Sequence, residues 1–388
     1  MKKIFYYLGA GVIILGLIGF WLYSFLYGSP NNATPQFANF DLFGNETVVP
    51  EVVPPVTIAP PVVDVALAKL RQLTTKPVIG MRIIVRGNNL LMRYVEAGTG
   101  QVFDISLKNG METRVSPISI PVASEAIISD SGEYIAVRSS EQSGNEVVLI
   151  HIRESGTPSK ETISASVTNF EFGTNNIFYY GTLVGATLEG RSYNLTTQET
   201  KRLFTVPFTA ATILWSRQAS ASHYVLTKSA ASLTSHLYEV RGANIIRTPI
   251  SGRGLTVLPY QQSILFSIVE ATGQVKLFNY SLVQKNTQLQ IIPALADKCI
   301  SELRGTNLYC AANLDTRDAN LPDSWYKGLV SFDDRIWKID KLGINSQIAN
   351  PSTISGRPLD LNKIKITNDG RMLYFVNKID QSLWVYEL

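Results

Sequence analysis

The sequence predicts an all-β fold, a β-propeller of about seven blades, preceded by a transmembrane helix and a proline-rich linker. Three observations predict the propeller: an aromatic strand motif that recurs at blade-sized intervals, an apolar strand ahead of each copy, and turn-forming residues between strands. The 388 residues are 45% hydrophobic and 17% charged, which is apolar enough to bury a large core. A propeller uses a chain of this length as one unit.

The amino-terminal segment, residues 4–27, contains no charged residue and is rich in aliphatic and aromatic side chains. It is long enough to cross a bilayer as a helix, and no small-residue cleavage site follows it. Because Lys2 and Lys3 precede it, we expect residues 1–3 to stay in the cytoplasm and the propeller to be periplasmic or extracellular. The alternative is a cleaved signal that leaves an exported, soluble propeller.

Residues 28–64 concentrate prolines and lack any strand or helix periodicity, which is typical of a semi-rigid extended linker. Inside this linker lies an aromatic cluster, Phe37, Phe40 and Phe43. The sequence leaves two roles open for these rings. They dock onto another molecule, or they rest on the membrane interface or on the side of the propeller.

The repeats occupy residues 65–388. Each copy of the motif has an apolar residue, an aromatic or branched residue, a polar residue and an apolar residue, and the second position recurs at intervals of 47, 43, 45, 40, 59 and 47. The long interval predicts an insertion in the sixth repeat. The seven copies are Val102–Ile105, Leu149–Ile152, Ser192–Leu195, Leu237–Val240, Leu277–Tyr280, Ile336–Ile339 and Leu383–Tyr386.

Turn chemistry supports the same strand register. Asp130-Ser131-Gly132 and Asn368-Asp369-Gly370 stand between a first and a second strand, where a tight hairpin needs residues that tolerate positive φ. The last repeat reaches Leu388 with only three strands, and an incomplete sheet exposes an unpaired edge. Because Lys69–Thr74 matches the outer-strand pattern, we predict that it completes the last blade.

These turns and the aromatic third-strand motif resemble the propellers of the WD-repeat class, especially the periplasmic propeller of the Tol envelope system. The resemblance covers about residues 67–388, and the Gly-His and Trp-Asp signatures of true WD repeats are missing. The whole layout also resembles uncharacterised bacterial membrane-anchored propeller proteins. The resemblance implies a propeller in the cell envelope and no particular activity.

No sequence motif for a nucleophile, a metal or a phosphate group is present, so the sequence predicts no catalytic residues, no cofactor and no metal. His151, His223 and His236 lie in or beside predicted strands without a partner at ligand spacing, and we interpret them as structural. The net charge of +4 comes without a basic run, which argues against nucleic acid as a partner.

The insertion in the sixth repeat, residues 314–334, carries aromatic, acidic and basic side chains on a connection between second and third strands. Such a loop is typical of a recognition surface. The alternative is a loop that folds over the central channel, with its aromatic residues capping the core. The predicted partner-binding residues are Arg317, Asp318, Asp323, Trp325 and Tyr326.

Cys299 and Cys310 lie on two strands predicted to be neighbours, in a register that sets them opposite each other. Either they form a disulfide, as an oxidising compartment permits, or they are two buried thiols. The sequence leaves both open.

Our first functional hypothesis is a non-enzymatic scaffold that is anchored in membrane lipid by the N-terminal helix and binds another envelope protein. The alternative is a carbohydrate-binding or glycan-processing propeller that uses carboxylates at the channel mouth, among them Asp315, Asp318 and Asp323.

Overall fold

A computed structural model describes residues 69–140, 146–153, 156–163, 166–217, 222–303, 307–315 and 317–388. The predicted transmembrane segment 4–27, the linker 28–64 and the linker residues Phe37, Phe40 and Phe43 lie outside these ranges. Within the ranges, no helix is both long enough and apolar enough to cross a membrane.

The described residues form seven four-stranded antiparallel sheets, which confirms the predicted seven-bladed propeller. Sheets 1 to 6 use four consecutive strands each, and sheet 7 adds the first strand of the described residues to the last three. Sheets 1 to 3 contain β2 (Val78–Arg86), β3 (Asn89–Glu96), β4 (Val102–Ser106), β5 (Glu112–Arg114), β6 (Ala123–Ile128), β7 (Tyr134–Ser139), β8 (Glu146–His151), β9 (Ser159–Ile163), β10 (Val167–Phe172), β11 (Ile177–Val184), β12 (Thr187–Asn194) and β13 (Thr200–Val206).

The remaining sheets follow the same order along the chain. Sheets 4 to 6 contain β14 (Ala211–Leu214), β15 (His223–Thr227), β16 (Thr234–Arg241), β17 (Asn244–Arg253), β18 (Thr256–Tyr260), β19 (Ser263–Val269), β20 (Val275–Ser281), β21 (Thr287–Leu289), β22 (Cys299–Ser301), β23 (Asn307–Ala312), β24 (Arg335–Asp340) and β25 (Asn345–Ala349). Sheet 7 contains β26 (Leu361–Ile366), β27 (Met372–Asn377), β28 (Leu383–Glu387) and β1 (Leu70–Thr74). Two short helices, α1 (Asp323–Tyr326) and α2 (Pro351–Ser355), and a 3-10 turn at Ala296–Lys298 lie between strands.

The core lies between neighbouring sheets. One apolar cluster fills each of the seven gaps between adjacent sheets, and the cluster that contains Met81 and Tyr94 of sheet 1 also contains Tyr374 and Val385 of sheet 7. The second strands are buried on both faces, which explains their near-continuous apolar sequences. Each sheet thus buries its apolar faces against the neighbouring sheets, which it could not do alone.

The ring closes through β1, which pairs with β28 in the register Leu70 opposite Tyr386 and Arg71 opposite Val385. The Arg71 guanidinium also donates a hydrogen bond of 2.9 Å to the carbonyl of Leu107 in sheet 1. The strand β1 therefore completes sheet 7 and connects it to sheet 1.

A buried ion pair within sheet 1 also contacts sheet 2. Arg93 and Asp104 form two hydrogen bonds of 2.7 Å, and Arg93 also donates to the carbonyl of Gly132, at 2.7 Å. Gly132 has a φ of +79°, and a Cβ there would meet Ile84 and Arg93. The turn therefore requires glycine both for its backbone conformation and for its close approach to the next sheet.

Candidate functional site

A cavity of about 1080 Å³ opens at one end of the central channel. All seven sheets line it with their first strand or with the turn that follows, so we call this end of the channel the turn end. The opposite end, where the first strands begin and the sixth-repeat insertion lies, is called the loop end. A cavity this large is slightly above the usual range for small-molecule sites.

Two guanidinium groups share one carboxylate oxygen inside this cavity. Arg82 of β2 and Arg217, just after β14, both donate to Oδ1 of Asp130, which follows β6. The three residues come from sheets 1, 4 and 2, so the contact reaches across part of the channel. Burial opposes the charge of Asp130, but Arg82 and Arg217 hold its pKa below the usual value.

Lys365 of β26 and Glu171 of β10 line the same cavity. Burial lowers the pKa of Lys365 to about 8; Glu171 opposes this decrease, and Arg82 and Arg217 add to it. Within the described residues, the Lys365 ammonium has no hydrogen bond or ion pair of its own. We call Arg82, Asp130, Glu171, Arg217 and Lys365 the open cluster.

Several hydrogen-bond donors at the turn end are unused. The Nε atoms of Arg82 and Arg217 and the Nε1 atom of Trp215 are buried without a partner in the described part of the chain. All three residues line the cavity. Since buried donors are normally paired, the cavity lacks acceptors rather than donors.

The other carboxylates that line the cavity already have local partners. Glu239 accepts from Arg241 at 2.8 Å and from Ser222 at 2.6 Å. Glu302 accepts from Asn307 at 2.8 Å and from Tyr309 at 3.0 Å. Asp369, also in the wall, accepts from Thr367 at 2.6 Å. An amide and a phenol are neutral, so the two hydrogen bonds to Glu302 do not cancel a negative charge, and the wall as a whole contains five carboxylates and three cations.

Exposed aliphatic side chains belong to the wall of the cavity. Val85 and Leu303 are each 69% exposed, and Leu90 is 37% exposed. We call these three residues the aliphatic rim. Exposed apolar groups beside a cavity are typical of a surface that another molecule covers.

The segment that carries Arg217 rests on a histidine in an aromatic cage. The backbone N–H of Ser216 donates to Nδ1 of His223 at 3.1 Å, and the rings of Tyr179 and Trp215 lie 5.2 and 5.1 Å from the imidazole. Burial lowers the pKa of His223 to about 4. The neutral ring accepts this hydrogen bond, and a proton on Nδ1 would abolish it.

At the loop end the insertion covers a buried ionic network. The Lys298 ammonium lies 2.6 Å from Asp334 and 2.6 Å from Asp360, and all three side chains are at most 1% exposed. Asp360 also accepts from the Trp325 indole at 2.9 Å and from the Phe332 backbone at 3.0 Å. We call Lys298, Asp334 and Asp360 the closed cluster. Burial raises the pKa of Asp334 to about 6.

The structure brings the predicted loop residues together but gives them different surroundings. Trp325 is only 3% exposed, whereas Tyr326 and Arg317 are exposed. Asp318 accepts a hydrogen bond from the hydroxyl of Ser324. Asp323 accepts from the backbone of Ala231 at 2.9 Å, which fixes the loop to sheet 4. Trp325 thus packs as the capping alternative expects. Arg317 is exposed, and Tyr326 is exposed with its hydroxyl donating to Asp297.

Two other predictions concern bonds and ligands. A disulfide joins Cys299 and Cys310, which are opposite each other in β22 and β23. Among the described residues, no group of three or more His, Cys, Asp or Glu side chains is arranged to hold a metal ion.

Sequence reasoning missed the open cluster. Its members lie in different repeats, far apart along the chain, so no spacing motif connects them. One signal was available: Arg82, Glu171 and Lys365 are charged residues within the first strands of sheets 1, 3 and 7. Because the first strand of each repeat lines the central channel, aligning the repeats would have predicted that these charged residues face the same channel.

No known family model matches the chain, and no curated protein matches it by sequence. Solved structures share its fold. An oligogalacturonate lyase from Vibrio parahaemolyticus is similar at 8% identity with a TM-score of 0.55, over 82% of this chain and 93% of that one. The β-propeller domain of the trilobed protease from Pyrococcus furiosus is similar at 10% identity with a TM-score of 0.53, over 81% and 94%.

The Cps50 (Swd1) β-propeller domain from Myceliophteria thermophila is similar at 11% identity with a TM-score of 0.54, over 82% of this chain and 99% of that domain. At these identities the likeness extends to the fold alone. The three proteins differ in function by their names, which agrees with the general rule that one fold serves many functions.

Proposed function

We propose that this chain is a non-enzymatic β-propeller that serves as a scaffold for another protein of the cell envelope. The observation that carries the proposal is the open cavity at the turn end with its aliphatic rim, Val85, Leu90 and Leu303. Exposed apolar groups that border a cavity are typical of a surface that binds another molecule.

The proposed location is the cytoplasmic membrane, with residues 4–27 as a single span, the amino terminus in the cytoplasm and the propeller on the other side. The uncharged segment and the preceding lysines support this orientation. The disulfide between Cys299 and Cys310 supports an oxidising compartment for the propeller.

The loop end offers a second proposed contact surface through Arg317 and Tyr326, both exposed. Asp318, Asp323 and Trp325 would support this surface from within the loop, since their side chains are bonded or buried there. The two surfaces lie at opposite ends of the channel, so crosslinking from each end can show which surface a partner contacts.

Site-specific crosslinking in native membranes tests the proposal. A photoreactive amino acid replaces Leu303 at the turn end, Tyr326 at the loop end, or Ile246, which is exposed on the outer strand β17. We expect the Leu303 position to crosslink one defined protein that mass spectrometry identifies, and the Ile246 position to give none. Equal crosslinking from both positions would contradict the proposal.

Carbohydrate binding through Asp315, Asp318 and Asp323 remains the alternative function. Two of these carboxylates already accept hydrogen bonds within the protein, which leaves them less available to a sugar. A glycan array with the purified protein provides the test. Binding of a defined sugar, with no protein crosslinked at Leu303, would favour the alternative over the scaffold.

A further inference from the structure

The open cluster has an excess of positive charge. Arg82, Arg217 and Lys365 supply three cations, and Asp130 and Glu171 supply two anions. The wall also contains the carboxylates Glu239, Glu302 and Asp369, which accept hydrogen bonds from local groups. Because an unpaired ammonium group is costly in a partly enclosed site, an anion bound at Lys365 would stabilise this arrangement.

The donors of the cluster also favour an anion with oxygen acceptors. Both guanidinium groups donate to the same oxygen of Asp130, and the Nε atom of each has no partner in the described part of the chain. Lys365 adds an ammonium group that likewise has no partner among the described residues. A guanidinium group binds a carboxylate through several N–H groups in one plane, so a second carboxylate matches these donors.

The surroundings favour a peptide as the source of this carboxylate. The rim is aliphatic, and the aromatic rings of Tyr224 and Tyr374 in the cavity wall are only 6% and 4% exposed. Trp215 and Tyr260 in the same wall are partly exposed, so the aliphatic rim is the feature that favours a peptide over a sugar. Aliphatic side chains beside an acidic residue would contact Val85, Leu90 and Leu303.

We propose that the cavity binds an acidic peptide segment of the partner, with a carboxylate held by Arg82, Arg217 and Lys365 and apolar side chains on the aliphatic rim. This inference rests on the proposed function and names the chemistry of its partner.

Fluorescence anisotropy with the full chain in detergent tests the inference. The probe is a labelled eight-residue peptide of alternating Glu and Leu, and its competitors are the matching Gln-Leu peptide, trigalacturonate and inorganic phosphate. We expect the Gln-Leu peptide to bind at least about tenfold more weakly than the Glu-Leu peptide. Equal binding of the two peptides, or no binding of either, would overturn the inference.

Variants assign the binding to the cluster. Lys365→Gln and Arg217→Gln should each weaken binding of the Glu-Leu peptide about tenfold, whereas Lys327→Gln, an exposed lysine at the loop end, should not change it. Unchanged melting temperatures establish that the variants are folded. Tighter binding of trigalacturonate would contradict a peptide ligand, and equal competition by phosphate would indicate an adventitious ion only.

The scaffold proposal and this inference fail in different ways. If Leu303 crosslinks the same protein in wild type and in Lys365→Gln, the scaffold stands and the carboxylate site is wrong. If Leu303 crosslinks nothing while the Glu-Leu peptide binds in a Lys365-dependent manner, the carboxylate site stands and the scaffold is wrong.

Discussion

The two ends of the central channel use the same kinds of charged group in opposite ways. At the loop end, Lys298 lies between Asp334 and Asp360 in a network that solvent does not reach. At the turn end, three cations and five carboxylates line an open cavity, and Lys365 has no partner among the described residues.

The difference indicates that the closed cluster stabilises the fold, whereas the open cluster is available to a ligand. Buried charges are costly unless other groups satisfy them, and Asp360 accepts from Lys298, from the Trp325 indole and from the Phe332 backbone. The closed cluster therefore fixes the insertion to sheets 6 and 7. The closed cluster leaves only Oδ1 of Asp334 without a partner among the described residues, whereas the whole Lys365 ammonium of the open cluster lacks one. A polar group without a partner in a cavity is typical of a site that a ligand completes.

The largest expected effect comes from Lys298→Met, which leaves Asp334 and Asp360 buried without a cation. We expect the free energy of unfolding to fall by about 3–5 kcal/mol, the usual result of removing one partner of a buried ion pair. Chemical denaturation of the full chain measures it. Lys327→Met, in the exposed part of the same insertion, is the control and should stay within about 0.5 kcal/mol of wild type.

Removing the disulfide next to the closed cluster should have a smaller effect. Cys299 directly follows Lys298, and its bond to Cys310 closes a short loop of sequence separation 11. For Cys299→Ala/Cys310→Ala we expect a loss of about 2–3 kcal/mol, from the chain entropy that the bond removes. A reductant should lower the melting temperature of wild type only. An equal response of wild type and the double variant to reductant would contradict a disulfide in the protein.

The fold could be predicted from the sequence because it repeats. The seven copies of the motif fall in the third strands of the seven sheets, and the apolar segments ahead of them form the second strands. Each repeat alone is a weak signal. The pattern recurs because every sheet must bury an apolar face against each of its two neighbours. The strand Leu70–Thr74 has the outer-strand pattern for the same reason.

The candidate site could not be predicted in the same way. Arg82, Asp130 and Arg217 meet only because three sheets converge on the channel, and this convergence leaves no local pattern in the sequence. The insertion was easier to notice since it breaks the repeat. Its most prominent residue, Trp325, is nevertheless buried. The sequence could not predict this burial, because composition does not reveal which side of a loop an indole occupies.

The pH dependence of peptide binding sharpens the comparison at the turn end. Lys365 has a pKa of about 8 and is surrounded by Glu171, Arg82, Arg217 and Lys363. Below this pH it is charged and attracts a carboxylate, so the affinity for the Glu-Leu peptide should fall roughly tenfold as the pH rises from about 7 to about 9. Lys365→Arg keeps its charge and should bind with little change over this range. An equal decrease in both proteins would exclude Lys365 as the titrating group.

The smallest expected effect concerns His223, beside the turn that carries Arg217. Its pKa is about 4 in the folded protein and 6.5 ordinarily, so the fold favours the neutral ring. The resulting stability is complete above pH 6.5 and is lost as the pH falls through the folded value of about 4. Since the ring is partly exposed, we expect a loss of only about 1 kcal/mol, or roughly 2–4 °C in melting temperature.

His223→Asn isolates this contribution, because the amide keeps an acceptor for the Ser216 N–H group and does not titrate. The melting temperature of wild type should fall more steeply than that of the variant between pH 6.5 and pH 4. His236→Asn, a substitution of a histidine outside the aromatic cage, should follow wild type. Parallel curves for wild type and His223→Asn would contradict the role of the neutral ring, and the turn end would then depend on its ionic contacts alone.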